Sequence, residues 1–483
     1  MIKTCLDYHL ETSYDRNRMS GHFMDWANQP DVFKTYEGRE PILLPREVEL
    51  PRGKLNNLLA GETPGVPVSG MDLPTLSRLL LLTYTFTAKT RSQEGHFYFR
   101  SAASAGALYP TELYTALRNV GNIESGIYHY AIQHHGLVPL RTGEFGDSAV
   151  TFFLTAIFFR SAWKYRARAY RYHLLDTGHV EENLLLAVRA LGFSCQVSYD
   201  FDDDRVNALL GLDEKREVAL ALVSLSDQDA ASEQKKEESP RLPESFAKAS
   251  RVSSRDVDYP AIREIHEAGK EKRAGSVKQI DISDALGVRA KEWRNIESPT
   301  PRSEIADYPD CVFTRRSKRN FVKRPIRKEA MAGLLKGLSS TGWSPYEESV
   351  CVGFLAGQVE GMEPGFYLLD REKEATGRIA PGSYVEKMAD ICLDQAWLAY
   401  AGVHFLFLAD LNLVERTWGP RGYRYAMMTA GRLGQRLYIE ATAMGHGCCG
   451  IGALYDEEAR EVLGLNETSR LLYLVAVGSV KRI

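Results

Sequence analysis

Cysteine is scarce and unpatterned in this chain: seven residues, an odd number, scattered and without C-x-x-C spacing. That excludes a disulfide scaffold and a cysteine zinc site, leaving reduced, buried thiols as the reading. No uncharged apolar run approaches the ~20 residues a membrane-spanning helix needs, and no charged-then-apolar leader opens the sequence, so neither export nor membrane insertion is expected. Neither sign of charge dominates. Lys plus Arg (60) nearly balance Asp plus Glu (63), which gives no support to nucleic acid or an anionic membrane as a partner. The expectation is a soluble, cytoplasmic protein. With 483 residues, 44% of them hydrophobic and 25% charged, the chain can bury full cores in two or three domains.

What the sequence does contain is an internal repeat. Residues 168–213 (RAYRYHLLDTGHVEENLLLAVRALGFSCQVSYDFDDDRVNALLGLD) align without a gap on residues 421–466 (RGYRYAMMTAGRLGQRLYIEATAMGHGCCGIGALYDEEAREVLGLN), at one offset (421 − 168 = 253). Tyr170/Tyr423, Arg171/Arg424, Tyr172/Tyr425, Gly178/Gly431, Gly192/Gly445, Cys195/Cys448 and the closing Leu-Gly-Leu are kept. The period is far above that of a solenoid, so it marks two copies of one domain. In each copy Leu184, Leu185, Val188 and Leu191, or their counterparts, predict a long buried helix closed by a left-handed glycine. A short strand, a helix with an acidic start and a last buried strand (218–225 or 471–478) should follow, making the unit α+β.

The chain then divides into an irregular N-terminal arm (1–50), a first domain (51–226), a polar linker (227–300) and a second domain (301–483). Asp72 and Pro74 predict a helix start ahead of LSRLLLLTYTF. The second domain opens with Arg315, Arg316, Ser317, Lys318 and Arg319, just before an expected helix. Guanidinium groups, a hydroxyl and an ammonium this close suit a phosphate, each charge-assisted hydrogen bond contributing roughly 1.5–3 kcal/mol. A solvated basic face fits the same run equally well. Lys481 and Arg482 end the chain, either converging on the same anion or as a frayed tail.

The first domain has ETPGVPV (62–68) in place of the basic run, and Asp227 and Asp229 in place of the terminal pair. It carries instead a small-residue loop, Arg100 to Tyr114, in which Ser101, Ser104, Ala105, Gly106, Ala107, Leu108, Tyr109 and Pro110 would let a flat ligand approach the backbone. A tight turn entering a strand is the plainer account of it. Aligned on Gly126-Ile127-Tyr128 and Gly365-Phe366-Tyr367, the second domain has GWSPYEES there, with Trp343, Glu347 and Glu348 in place of small or neutral residues.

The R-R-S-x-R opening, the aromatic G-[IF]-Y strand, the long helix ending in glycine, the loop of Gly450, Ile451 and Gly452 and the terminal basic pair resemble the nitroreductase superfamily of FMN enzymes. The SAGALYP loop, the GIYHY strand, Lys164-Tyr165 and RAYRYHLLDTGHVEENL are similar to SagB-type (ThcOx-like) dehydrogenases, which oxidise azoline rings in peptide natural products. The resemblance implies two tandem nitroreductase-like α+β domains forming an intramolecular pseudo-dimer, acting on a small-molecule or peptide substrate. It also implies one FMN per chain, with Arg315, Arg316, Ser317, Arg319, Lys481 and Arg482 on the phosphate and ribityl chain. Gly450 to Gly452 would pass the flavin edge, and Ser101 to Pro110 would cover the ring. Lys164 would act as general base for the proton beside the ring nitrogen while hydride passes to flavin N5, with Tyr165 assisting. A surface lysine beside a packed tyrosine is the competing account of that pair.

Two other functions stay open: an NAD(P)H-dependent reductase of nitro or quinone acceptors, and a non-catalytic protein that binds flavin or peptide. Three local patterns are set aside. Gly445-His446-Gly447-Cys448-Cys449-Gly450 fits G-x-G-x-x-G but leaves a helix and enters a strand, the reverse of a dinucleotide site. Cys448-Cys449 reads as buried small residues rather than a redox pair, since the first copy has Cys195-Gln196. His134-His135 lies on a loop without companion ligands, so no metal is expected.

Overall fold

The repeat extends through the whole of both sheets in the computed structural model, which describes residues 2–19, 21, 23–60, 65–92, 95–146, 148–225, 242–270, 282–297, 306–340 and 344–481. The first copy's strands are β1 (Ile42–Leu43), a hairpin of β2 (Phe86–Ser92) and β3 (Gly95–Arg100), β4 (Thr111–Leu117), β5 (Gly126–Ala131), β6 (Gly136–Thr142), β7 (Val150–Ile157), β8 (Cys195–Ser198) and β9 (Glu217–Leu225). Apart from the separate hairpin they form an antiparallel sheet in the order β1-β6-β5-β4-β7-β9-β8. The second copy has β10 (Trp293–Asn295), β11 (Cys351–Ala356), β12 (Gly365–Asp370), β13 (Ala375–Pro381), β14 (Val403–Asp410), β15 (Gly447–Ile451) and β16 (Ser469–Gly478). Their order, β10-β13-β12-β11-β14-β16-β15, is the same arrangement strand for strand.

Helices occupy the expected places. Leu73–Thr83 begins at Asp72, whose side chain accepts from the Thr75 amide at 2.8 Å. This satisfies a donor the first turn leaves open. The long helices Ala169–Ala190 and Gly422–Ala443 are buried along nearly their whole length, charged residues included. Each ends before a glycine in the left-handed region, Gly192 (φ 81) and Gly445 (φ 73). Asp203–Leu210 and Asp456–Val462 are the short acidic-start helices.

Two expectations on local structure change. The arm is not irregular throughout: Cys5–Glu11 is a helix, capped by the Thr4 hydroxyl on the Asp7 amide at 3.0 Å. It folds with the second copy, His9 Nε2 lying 3.2 Å from Asp456 and His9 Nδ1 3.1 Å from the Tyr423 hydroxyl. The helix expected just after the basic run does follow it, but not directly. The helix Tyr308–Thr314 stops before it, and the next begins only at Lys328. Between them Ser317 bridges Cys448 and Phe321 bridges Val480, so these backbone groups are satisfied by neighbouring strands, and Pro325 disfavours helix just before it.

Chain contacts divide the protein into two units, residues 23–52 with 61–263, and residues 1–22 and 53–60 with 264–483. Within the expected linker, residues 227–241, 271–281 and 298–300 lie outside the described set, while Glu244–Lys248, Pro260–Ala268 and Ile282–Ala285 are helical and Trp293–Asn295 is β10.

Candidate active site

In the first unit the chemistry gathers around the turn after β3. Gly106 (φ 64), Ala107 (φ 55) and Tyr109 (φ 48) all take left-handed backbone conformations, a run that costs energy at the two non-glycine positions and needs outside bracing. The bracing is visible at both ends. Asp176 of the long helix accepts from the Ser104 hydroxyl at 2.6 Å and from the Ala105 amide at 3.1 and 3.2 Å. Ser104 Oγ in turn accepts from the Tyr109 amide at 2.9 Å. At the far end the Arg160 guanidinium donates to the Tyr109 carbonyl at 3.0 Å and to Glu112 at 2.5 Å. Burial raises the Glu112 carboxyl, but the Arg160 charge and the His129 hydrogen bond outweigh it and bring it down to about 2.

Lys164 and Tyr165 end the helix Phe158–Tyr165, both half-buried. A Cβ on Gly106 would stand 2.9 Å from the Tyr165 hydroxyl and 3.3 Å from Lys164 Nζ, so only glycine lets the turn lie this close. Tyr165 packs on Tyr172 with ring centroids 4.3 Å apart. Gly106 itself is exposed. A turn open to solvent, a lysine and a phenol therefore meet in one place.

The residue after this pair shows the cost of the geometry. Arg166 has φ 51 and ψ −136, a region suited to glycine, and the repeat places Gly419 (φ 69, ψ −169) at the same point of the second copy. Arg166→Gly is expected to stabilise the protein by roughly 1 kcal/mol, the relieved strain exceeding the entropy glycine adds to the unfolded chain. A thermal melt should rise by about 2–4 °C. A lower melting temperature would mean that the exposed arginine side chain contributes more than its backbone costs.

Other members of the expected loop anchor it. Ser101 is buried, donating to the Thr83 carbonyl at 2.9 Å and accepting from the Thr85 amide at 3.2 Å. Leu108 packs in a buried cluster with Ile157, Phe159 and Trp163. The Pro110 carbonyl accepts from the Ile157 amide at 2.9 Å.

In the second unit the basic residues line the edge of the sheet at β15. The Lys318 amide donates to the Cys448 carbonyl at 2.9 Å, and the Lys481 amide to the Asn320 carbonyl at 3.2 Å. This brings Arg315 to Arg319, Gly450, Ile451 and Lys481 to one sheet edge; Arg482 lies outside the described residues. Tyr438 ties the pieces together: its hydroxyl lies 2.9 Å from Ser317 Oγ and accepts from the Gly450 amide at 2.7 Å. Arg315 is buried with its guanidinium 5.2 Å from the Tyr438 ring, while Ser317, Arg319 and Lys481 are exposed. Arg316 donates to the carbonyls of Phe313 and Arg315 at 3.1 and 2.5 Å. A Cβ on Gly450 would fall 1.7 Å from the Tyr473 hydroxyl. Cys448 and Cys449 are buried, and burial raises both thiols.

The counterpart of Lys164 in this unit is Thr417, whose hydroxyl donates to the Leu413 carbonyl at 2.9 Å within its own helix. Where the first unit has its small-residue turn, the second has Glu347, buried and ion-paired with Arg371 at 3.0 Å and Arg432 at 3.4 Å. Trp343 lies outside the described residues. Asp176 is the participant the sequence analysis missed, since inside a helical run nothing distinguishes a buried carboxylate from a solvated one.

Comparison with known proteins gives four findings. The sequence model described as Nitroreductase family matches twice, at residues 69–225 and 312–479. The nitroreductase-type protein MJ1384 of Methanocaldococcus jannaschii is 29% identical over 189 residues, 37% of this chain and 94% of its own. The trifolitoxin-processing protein TfxB of Rhizobium leguminosarum bv. trifolii is 26% identical over 256 residues, 44% of this chain and 68% of its own. A crystal structure from Anabaena variabilis ATCC 29413, of a protein named for the same nitroreductase group, superposes with a TM-score of 0.79 at 25% identity, over 99% of this chain and 100% of that one.

Proposed function

Because the chain belongs to the nitroreductase family, an oxidoreductase family matched here by two tandem α+β domains, we propose that it is an FMN-dependent dehydrogenase of SagB type that oxidises azoline rings in a peptide. The observation that carries this reading is the meeting of Lys164, Tyr165 and the Gly106 turn in the first unit, against Thr417-Trp418 in the second. A reductase of nitro or quinone acceptors needs flavin but no lysine there.

The residues fit the cofactor in kind. Ser317, Arg319 and Lys481 offer a hydroxyl and two cations at one exposed sheet edge, which suits a phosphate dianion. In the proposal these residues, with Arg315, Arg316 and Arg482, hold the phosphate and ribityl chain. Bound FMN supplies a hydride acceptor. Lys164 Nζ takes the proton from the carbon beside the azoline nitrogen, Tyr165 orients the ring being oxidised, and the Gly106 turn keeps both at close range. One FMN per chain is assigned, since the second unit lacks the lysine and the turn and the first lacks the basic edge.

A visible spectrum of the purified protein, with the released cofactor identified and counted, tests this. About one FMN per chain is the expected result. Two per chain would show that both halves are competent, and none after soaking with FMN would leave a binding protein without redox chemistry.

A further inference from the structure

Asp176 sits in the long helix Ala169–Ala190, buried, with no part in the chemistry assigned above. Both of its oxygens are committed to one turn. Oδ2 takes the Ser104 hydroxyl at 2.6 Å, and the Ala105 amide lies 3.1 and 3.2 Å from the two oxygens. The next residue is Gly106, whose missing Cβ leaves room for the Tyr165 hydroxyl and Lys164 Nζ. A helix carboxylate thus grips one side of a turn whose other side lies against the lysine and the phenol.

The second copy serves as an internal control. At the Asp176 position it has Thr429, which reaches the matching segment before β11 only through long, uncharged contacts: its hydroxyl lies 3.4 Å from Ser349 Oγ and donates to the Tyr346 carbonyl at 3.3 Å, and it brings no carboxylate to gather two donors there. At the Lys164 position it has Thr417. Carboxylate and lysine occur together in one copy and are missing together from the other, although the helices that carry them span matching residues, Phe158–Tyr165 with Leu411–Trp418 and Ala169–Ala190 with Gly422–Ala443.

We propose that Asp176 is a positioning residue, its carboxylate fixing the Ser104–Gly106 turn against Lys164 and Tyr165. This rests on the reading of that pair as the reacting groups.

The carboxylate form suits the task, because both groups facing it, a hydroxyl and an amide, are donors. Protonation would put a third donor among them and loosen the grip. Burial pushes the Asp176 carboxyl up to about 7, against the pull of the Ser104 and Ala105 hydrogen bonds, so the change falls in the neutral range. The charged and titratable groups on the elements packed against it include Arg160, Lys164 and Tyr165 on the preceding helix, Tyr109 in the loop and Glu112 on β4. On its own helix Tyr172 and His179 lie one turn away on either side. The turn is therefore held above about pH 7 and released below it.

Hydrogen exchange of the loop peptide spanning residues 101–110, in the FMN-loaded full chain and corrected for intrinsic pH dependence, reads this directly. In the wild type, protection of the loop should drop about tenfold between pH 8 and pH 6. Asp176→Asn, which sets an amide donor against a donor, and Asp176→Thr, which installs the residue the second copy already carries, should show the lower protection at every pH. Loop protection that is unchanged in Asp176→Thr, or a pH dependence that survives in it, overturns the assignment. The two Asp176 variants, given a thiazoline-containing peptide, should lose about tenfold in kcat with little change in KM. If the wild type shows the pH-dependent loop but does not oxidise that peptide, the dehydrogenase reading fails while the role of Asp176 stands.

Discussion

Lys164→Ala is expected to slow reduction of the bound flavin by a thiazoline-containing peptide by roughly 10²–10⁴-fold, the usual contribution of a positioned general base. NAD(P)H oxidation, if the protein supports it, should change by about twofold at most. The comparison that isolates proton transfer is Lys164→Arg. Arginine keeps the positive charge and most of the length but does not give up its proton in a protein, so it should be as slow as alanine. Proton abstraction requires Lys164 as the free amine, which alanine removes and arginine cannot supply; it stands half-buried at a helix end with Nζ 5.5 Å from the Tyr165 ring. Lys164→Thr copies the second half, where the Thr417 hydroxyl is spent on its own helix. Anaerobic stopped-flow at the flavin band measures all three. An arginine variant within tenfold of the wild type would rule out the base and leave a purely electrostatic role.

Much of the fold was legible because the chain contains its own comparison. Two helical runs at one offset, each closed by a glycine and followed by an acidic helix start, specified a unit of helices and buried strands, and the structure has each of them. The sheet beyond that run was harder to read. The connection between β6 and β7, residues 143–149, becomes residues 382–402 between β13 and β14 and includes the helix Val385–Ile391, so the single offset breaks there. Only the matched Gly126-Ile127-Tyr128 and Gly365-Phe366-Tyr367 bridged the gap.

Side chains whose partners lie far away in the chain left no trace. The extended course of Arg315 to Phe321 depends on pairing with Cys448 and Val480, which no local pattern announces, and the run looked like the approach to a helix. Asp176 depends on Ser104 and Ala105 in the same way. The division of labour between the halves was visible as a list of substitutions. Its physical meaning came from the contacts: an ion-paired Glu347 where the other copy has an open turn, and a self-bonded threonine where it has a lysine.

The arm around Lys34 is where the sequence was least informative, and a large stability effect is expected there. Lys34 is buried and ion-paired with Glu217, donating also to the Tyr114 hydroxyl at 2.6 Å. Glu217 accepts in addition from Tyr114 at 2.9 Å, Thr155 at 2.7 Å and Ser250 at 2.7 Å. Burial disfavours charge on both partners, but their attraction wins, so the lysine is raised and the carboxyl lowered. Removing one partner strands the other. Lys34→Met should therefore cost about 3–5 kcal/mol, a drop in melting temperature on the order of 10 °C. Lys34→Met with Glu217→Leu should recover most of that loss, because the cost lies in the uncompensated charge rather than in the missing bond. The pH dependence supplies the sign. In the wild type the depressed Glu217 carboxyl contributes stability that is present above its unfolded value and lost as pH falls. In Lys34→Met the lone buried carboxyl is pushed up instead, so its penalty grows as pH rises. The gap between variant and wild type should thus be wide at pH 8 and narrow at pH 4. A gap that stays constant across that range would mean that packing of the lysine stem, not its charge, holds this arm in place.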